Sequence, residues 1–219
     1  NPNHVHMVGC PRIDLVSELI SNNYFTTSFS EFGVGGGVDI NLNKPFLLVS
    51  QHPVTTEFGN SEKQIRKTLE AISELKIPAI VLWPNADAGT DDIARGIRSW
   101  REQKKDIGMH FFKNLPISDY VFLMKKTACL VGNSSSGIRE GAFIGTPVVN
   151  IGSRQNARDR GKNVIDVEYN KDAILQAIKY QIKNGKYNSE NIYGNGQAGH
   201  KIADILYKEN VAIQKKITY

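Results

Sequence analysis

The sequence predicts an α/β domain: a doubly wound parallel sheet with helices on both faces. Two observations carry this. Apolar runs of strand length alternate with helical patterns along most of the chain, which is the signature of βαβ units. Several runs, "PFLLVSQ" first among them, are continuously apolar, as a strand buried on both faces requires. With 219 residues, 40 % hydrophobic and 22 % charged, the chain can bury one substantial core.

The elements follow in order. Val5 to Val8 reads as a short strand, and "PRIDLVSELI" as a helix opened by Pro11, whose fixed φ and missing N–H suit a first turn. Asn22 to Lys44 is polar and glycine-rich and reads as a loop. Within it, "GVGGGV" (Gly33 to Val38) lacks the third glycine of a dinucleotide fingerprint and follows no strand, so it is read as a flexible loop and not a cofactor site. After the strand Pro45 to Gln51, a helix places Ile65, Leu69, Ile72 and Leu75 on one face, and Ser61 with Gln64 fits a capping box.

Alternation continues with strand "PAIVLWP", helix "DDIARGIRSWREQ", strand "MHFFK", helix "ISDYVFLMKK" and strand "ACLVGN". Helix "SGIREGAFI", strands "PVVNIG" and "NVIDV", helix "KDAILQAIKYQIK" and a last helix from Ala198 to Lys208 complete it.

The net charge of +5 favours an anionic ligand but is too mild for nucleic acid, and most Lys and Arg read as solvated faces. No apolar run approaches a membrane span, so no membrane partner is expected. Cys10 and Cys129 form no CxxC spacing and read as buried thiols of a reducing compartment, with the cytoplasm as default. His4, His6 and Cys10 have loosely ligand-like spacing but no second cluster completes it, so neither a metal nor a cofactor is expected. Without GxxxxGK[ST] or GxSxG, a P-loop nucleotidase and an α/β-hydrolase are both disfavoured. The chain starts without Met and almost directly in a strand-like segment, and reads as a piece of something longer.

In such sheets ligands bind beyond the carboxyl ends of the strands. There "VGNSSSGIREGAFIGTPVVN" (Val131 to Asn150) sets Ser134, Ser135 and Ser136 at the start of a helix, where free N–H groups and hydroxyls can cradle a phosphate. Capping needs only one serine. Glu140 either complements the helix dipole or accepts hydrogen bonds from a ribose diol. "GSRQNARDRGKN" gathers Arg154, Arg158, Arg160 and Lys162, which either grip a diphosphate or are solvated. His52 stands directly after a strand, where it can donate to a phosphate or serve the fold. Asn85 and Asp87 stand just beyond another strand, next to a helix start, where Asp87 either joins the site or is no more than a cap.

The stretches "QHPVTTE", "PNADAG", "GNSSSGIREGAFIGTPVVNIGSRQNARDRGKNV" and "IYGNGQAGHKIADIL" resemble the UDP-N-acetylglucosamine 2-epimerases, and specifically the hydrolysing branch that serves sialic-acid-type sugars. The resemblance implies one Rossmann-like half of a GT-B-type enzyme: residues 1–219 would be the C-terminal nucleotide-binding domain, with the N-terminal domain absent. It implies a UDP-sugar substrate, a homo-oligomer when full length, and UDP elimination followed by hydration to N-acetylmannosamine. His52 would contact the diphosphate and assist UDP departure; Ser134 and Ser135 would hold phosphate oxygens. Glu140 would hold the ribose hydroxyls, and Asn85, Arg154 and the backbone near Leu115 would help bind the nucleotide. The acid-base carboxylates would lie mainly on the other domain, so this chain alone should bind UDP weakly and catalyse nothing. The competing reading is the nucleotide-binding half of a GT-B glycosyltransferase.

Overall fold

The computed structural model of the chain describes residues 5–22, 29, 32, 34–103 and 108–209. His4 of the ligand-like set and Gly33 of the glycine run lie outside them.

Seven strands form one sheet: β1 (Gly35–Gly37), β2 (Leu47–Ser50), β3 (Ala79–Leu82), β4 (Met109–Phe112), β5 (Cys129–Gly132), β6 (Val148–Ile151) and β7 (Val164–Val167). The spatial order is β1-β4-β3-β2-β5-β6-β7, and β2 to β7 pair in parallel while β1 runs antiparallel to β4 at the edge. The parallel part has the strand order of dinucleotide-binding sheets, which reverses between β2 and β5. The helices are α1 (Pro11–Asn22), α2 (Ser61–Leu75), α3 (Thr90–Glu102), α4 (Ile117–Lys126), α5 (Ser135–Ile138), α6 (Glu140–Ile144), α7 (Lys171–Asn184) and α8 (Ala198–Lys208).

Strand side chains alternate between two cores, as their period of two dictates. Leu47 and Val49 meet α2, α3 and α7 through Leu69, Ile97 and Ile178 on one face. Phe46 and Leu48 meet α4 through Phe122 and Leu123, with Phe32 and Phe112, on the other. The sheet is therefore doubly wound. Among the described residues no helix is long and apolar enough to cross a membrane.

Several local expectations are corrected. Val5 to Val8 forms no strand. The glycine run forms β1 instead of a free loop, because bare backbone can approach β4 where a side chain cannot: a Cβ on Gly35 would lie 2.4 Å from His110 Nε2. Ser61 is the first residue inside α2, so it does not cap; Gln64 reaches back to the Glu57 carboxylate at 2.5 Å. The helix read through "SGIREGAFI" breaks at Arg139 into α5 and α6. Cys129 is buried, its thiol pushed up to about 12 by desolvation, whereas Cys10 is only half-buried.

Candidate functional site

Where the strand order reverses, the loops after β2 and β5 diverge and leave a crevice. A cleft of about 680 Å³ opens there. His52, Asn85, Leu115, Ser134, Ser135 and Glu140 all line it. Arg154 does not; it stands behind the wall, its guanidinium 3.1 Å from Asp87 Oδ2 and 3.5 Å from the Asn133 carbonyl.

His52 follows β2 and is 6 % exposed. The Asn85 backbone N–H donates to its Nδ1 at 3.1 Å, so Nε2 carries the ring hydrogen and faces Ser50 Oγ at 3.3 Å. Burial first, and the nearby Arg154 charge second, lower its pKa to about 4, against the opposing pull of Asp87. At neutral pH the ring is uncharged and offers the cleft a hydrogen-bond donor.

The three serines divide. Ser134 caps α5, accepting the Ser136 N–H at 3.4 Å. Ser136 is buried, and its hydroxyl is held by Tyr120 at 2.5 Å and Ser134 at 2.8 Å. Ser135 meets the Arg139 guanidinium at 3.4 Å. α5 is only one turn long, so the hydroxyls and nearby cations, rather than a long helix dipole, give this corner its character.

Glu140 opens α6 with 4 % exposure. Arg12 Nε lies 3.6 Å from Oε1 and Arg139 Nε 3.6 Å from Oε2, yet Oε2 accepts no hydrogen bond. Buried carboxylate oxygens are rarely left so, and this one belongs to the cleft wall. Leu115, with Leu82, Trp83, Pro84 and Ile117, forms an apolar part of the lining. Its backbone N–H is already taken by Asn114 Oδ1 at 2.9 Å.

Arg12, Lys113, Tyr120 and Arg139 also line the cleft, and sequence reasoning assigned them no role. Arg12 gave a signal only through its place beside Pro11; Tyr120 reads as one more residue of an amphipathic helix. The assembled chemistry is a neutral imidazole donor, two accessible serines, three cations, a buried carboxylate and an apolar wall. It suits a ligand with phosphate, diol and planar apolar parts.

The sequence profile of the UDP-N-acetylglucosamine 2-epimerase family matches residues 1–207. The chain belongs to this family. An epimerase relative from Legionella pneumophila, named UDP-N,N'-diacetylbacillosamine 2-epimerase (hydrolyzing), is 30 % identical over 202 residues, covering 92 % of this chain and 51 % of the relative. A second, from Campylobacter jejuni, named GDP/UDP-N,N'-diacetylbacillosamine 2-epimerase (hydrolyzing), is 34 % identical over 157 residues, 71 % of this chain and 40 % of the relative. The crystal structure of the Methanocaldococcus jannaschii UDP-GlcNAc 2-epimerase, in complex with UDP-GlcNAc and UDP, shares the fold with a TM-score of 0.70 at 17 % identity, over 95 % of this chain and 56 % of that one. The epimerase-family chain thus spans about half the length of the relatives it matches.

Proposed function

We propose that the chain is the UDP-binding, C-terminal half of a hydrolysing 2-epimerase that acts on an N-acetylated UDP-sugar in the cytoplasm. The observation that carries the reading is the Glu140 carboxylate, buried on the cleft wall with Oε2 accepting no hydrogen bond. In this reading Glu140 accepts the ribose hydroxyls, and the apolar surface around Leu115 and Trp83 covers the uracil. Ser134 and Ser135 hold phosphate oxygens. His52 donates through Nε2 to the departing diphosphate, and Asn85 fixes that tautomer through its backbone N–H.

The reaction is elimination of UDP followed by hydration to the 2-epimer, N-acetylmannosamine when the substrate is UDP-N-acetylglucosamine. The Legionella and Campylobacter relatives, both named as hydrolysing, support the hydrolysing branch and add a diacetylated diamino sugar to the substrates to assay. A second domain supplies the acid-base carboxylates, and the complete enzyme pairs with a copy of itself. The isolated chain therefore binds UDP and turns over nothing.

Calorimetric titration of the chain with UDP, with ADP as control, tests this. Selective UDP binding that Glu140→Gln weakens by about 1.5–3 kcal/mol is expected for loss of a charged acceptor. Equal affinity for UDP and ADP, or an indifferent Glu140→Gln, would count against it.

A further inference from the structure

We propose that Asn114 is a specificity-determining residue: its carboxamide turns two N–H donors toward the base of the bound nucleotide and selects a base with a carbonyl on its outer edge, uracil, over one with an amino group there, cytosine. The proposal rests on the reading of the cleft given above and adds a residue outside the predicted set.

The backbone fixes which way this amide points. The Leu115 N–H, a main-chain donor at the apolar wall, gives its hydrogen to Asn114 Oδ1 at 2.9 Å. A flipped amide would set Nδ2 against that N–H, donor against donor, so Oδ1 stays on the backbone. Both hydrogens of Nδ2 are left for the cleft, which Asn114 lines.

Asn114 stands at the base end of the wall. Glu140 marks the ribose, and Tyr120 of α4 reaches Ser136 on that side. From Tyr120 the lining runs back through Ile117, the first residue of α4, and Leu115 to Asn114. A pyrimidine laid on Leu115 and Trp83 turns N1 toward the ribose and its 4-substituent away, to Asn114. Uracil carries an acceptor there and cytosine an amino donor. The Asn85 carboxamide, also in the lining, is not held by the backbone in this way and can turn to suit either base. Lys113 is exposed on a long stem and imposes no geometry. Glu140, at the ribose, is the one carboxylate in the lining among the described residues, so an amino group meets no fixed acceptor at the base end.

Asn114→Asp keeps an oxygen on the Leu115 N–H and replaces the two donors by an acceptor. Calorimetry with UDP and CDP, which share ribose and diphosphate, reads the ratio of affinities, in which any effect of the new charge on the diphosphate cancels. The wild type should prefer UDP roughly tenfold, as for one hydrogen bond made against one donor opposed. Asn114→Asp should reverse the preference, and Asn114→Ala should bring the two ligands to within about twofold. A preference for UDP that both variants retain would overturn the proposal and leave Asn114 a loop-holding residue. Equal wild-type affinities for UDP and CDP, with Glu140→Gln still weakening UDP, would overturn the Asn114 reading alone. A wild-type chain that binds neither ligand would overturn the cleft reading together with it.

Discussion

The Asn133 carboxamide pairs with both backbone polar groups of His52: Oδ1 accepts the His52 N–H at 2.7 Å and Nδ2 donates to the His52 carbonyl at 2.8 Å. The β2–β5 ladder ends here, and the side chain supplies the next rung between two diverging loops. The Asn133 backbone is held as well, its N–H by the Ser50 carbonyl at 3.1 Å and its carbonyl by Gln155 Nε2 at 2.7 Å. His52 is thus placed by the loop after β5 as much as by its own strand.

Asn133→Ala should therefore destabilise the fold by about 2–4 kcal/mol, because two backbone groups of a buried residue lose their partners together. Urea unfolding reads this as a lowered midpoint at constant slope. An unmoved midpoint would mean that water replaces both bonds without loss.

Gly132 makes the approach of the two strands possible. Its φ is +136°, and a Cβ would stand 2.2 Å from the Ser50 carbonyl oxygen. Gly132→Ala should cost at least ~3 kcal/mol, from an unfavourable backbone conformation plus a clash with main chain that has no rotamer to move. Gly59→Ala is the control: its φ of +84° is also strained, but nothing lies within 4 Å of the new Cβ, so about 1 kcal/mol is expected. Similar losses at the two positions would show that the close contact relaxes freely.

These two residues show where sequence reasoning reached and where it stopped. Buried strands such as Leu47–Ser50 and amphipathic helices such as Lys171–Asn184 announce themselves through apolar runs and period. The edge strand at Gly35–Gly37 has no side chains to carry a pattern, and it becomes a strand only through β4 beside it. His52, Asn85, Ser134 and Glu140 were legible as candidates because parallel sheets bring the residues after their strands to one edge. Arg154 belongs to that edge, but its ion pair with Asp87, 67 residues away in sequence, turns it from the cleft wall. Tyr120 and Asn133 were not legible as site residues. Their partners lie 16 and 81 residues away, and a hydroxyl or amide aimed at such a partner leaves no local pattern.

Acid should unfold the protein partly through His52. Its pKa is about 4 in the fold against 6.5 in the open chain, so between these values the unfolded state binds the proton more readily. Stability from this residue is complete above about pH 6.5 and is lost as pH falls toward 4, by up to roughly 3 kcal/mol. A pH series of urea unfolding should show this slope in the wild type and a shallower one in His52→Asn. Identical slopes would mean that His52 titrates normally in the fold.

Two charges act on that imidazole with opposite sign. Arg154 lowers the His52 pKa and Asp87 raises it, while the two bind each other at 3.1 Å. Arg154→Ala should therefore raise the pKa of His52, and Asp87→Asn should lower it further, as followed by the ring resonances in an NMR pH titration. Neither change should cost more than about 1 kcal/mol in stability, because the pair is partly solvated and screened. Raising the ionic strength should shrink both displacements. Shifts of the same sign in the two variants would point to ring movement rather than charge, and would remove Arg154 and Asp87 as electrostatic controls on His52.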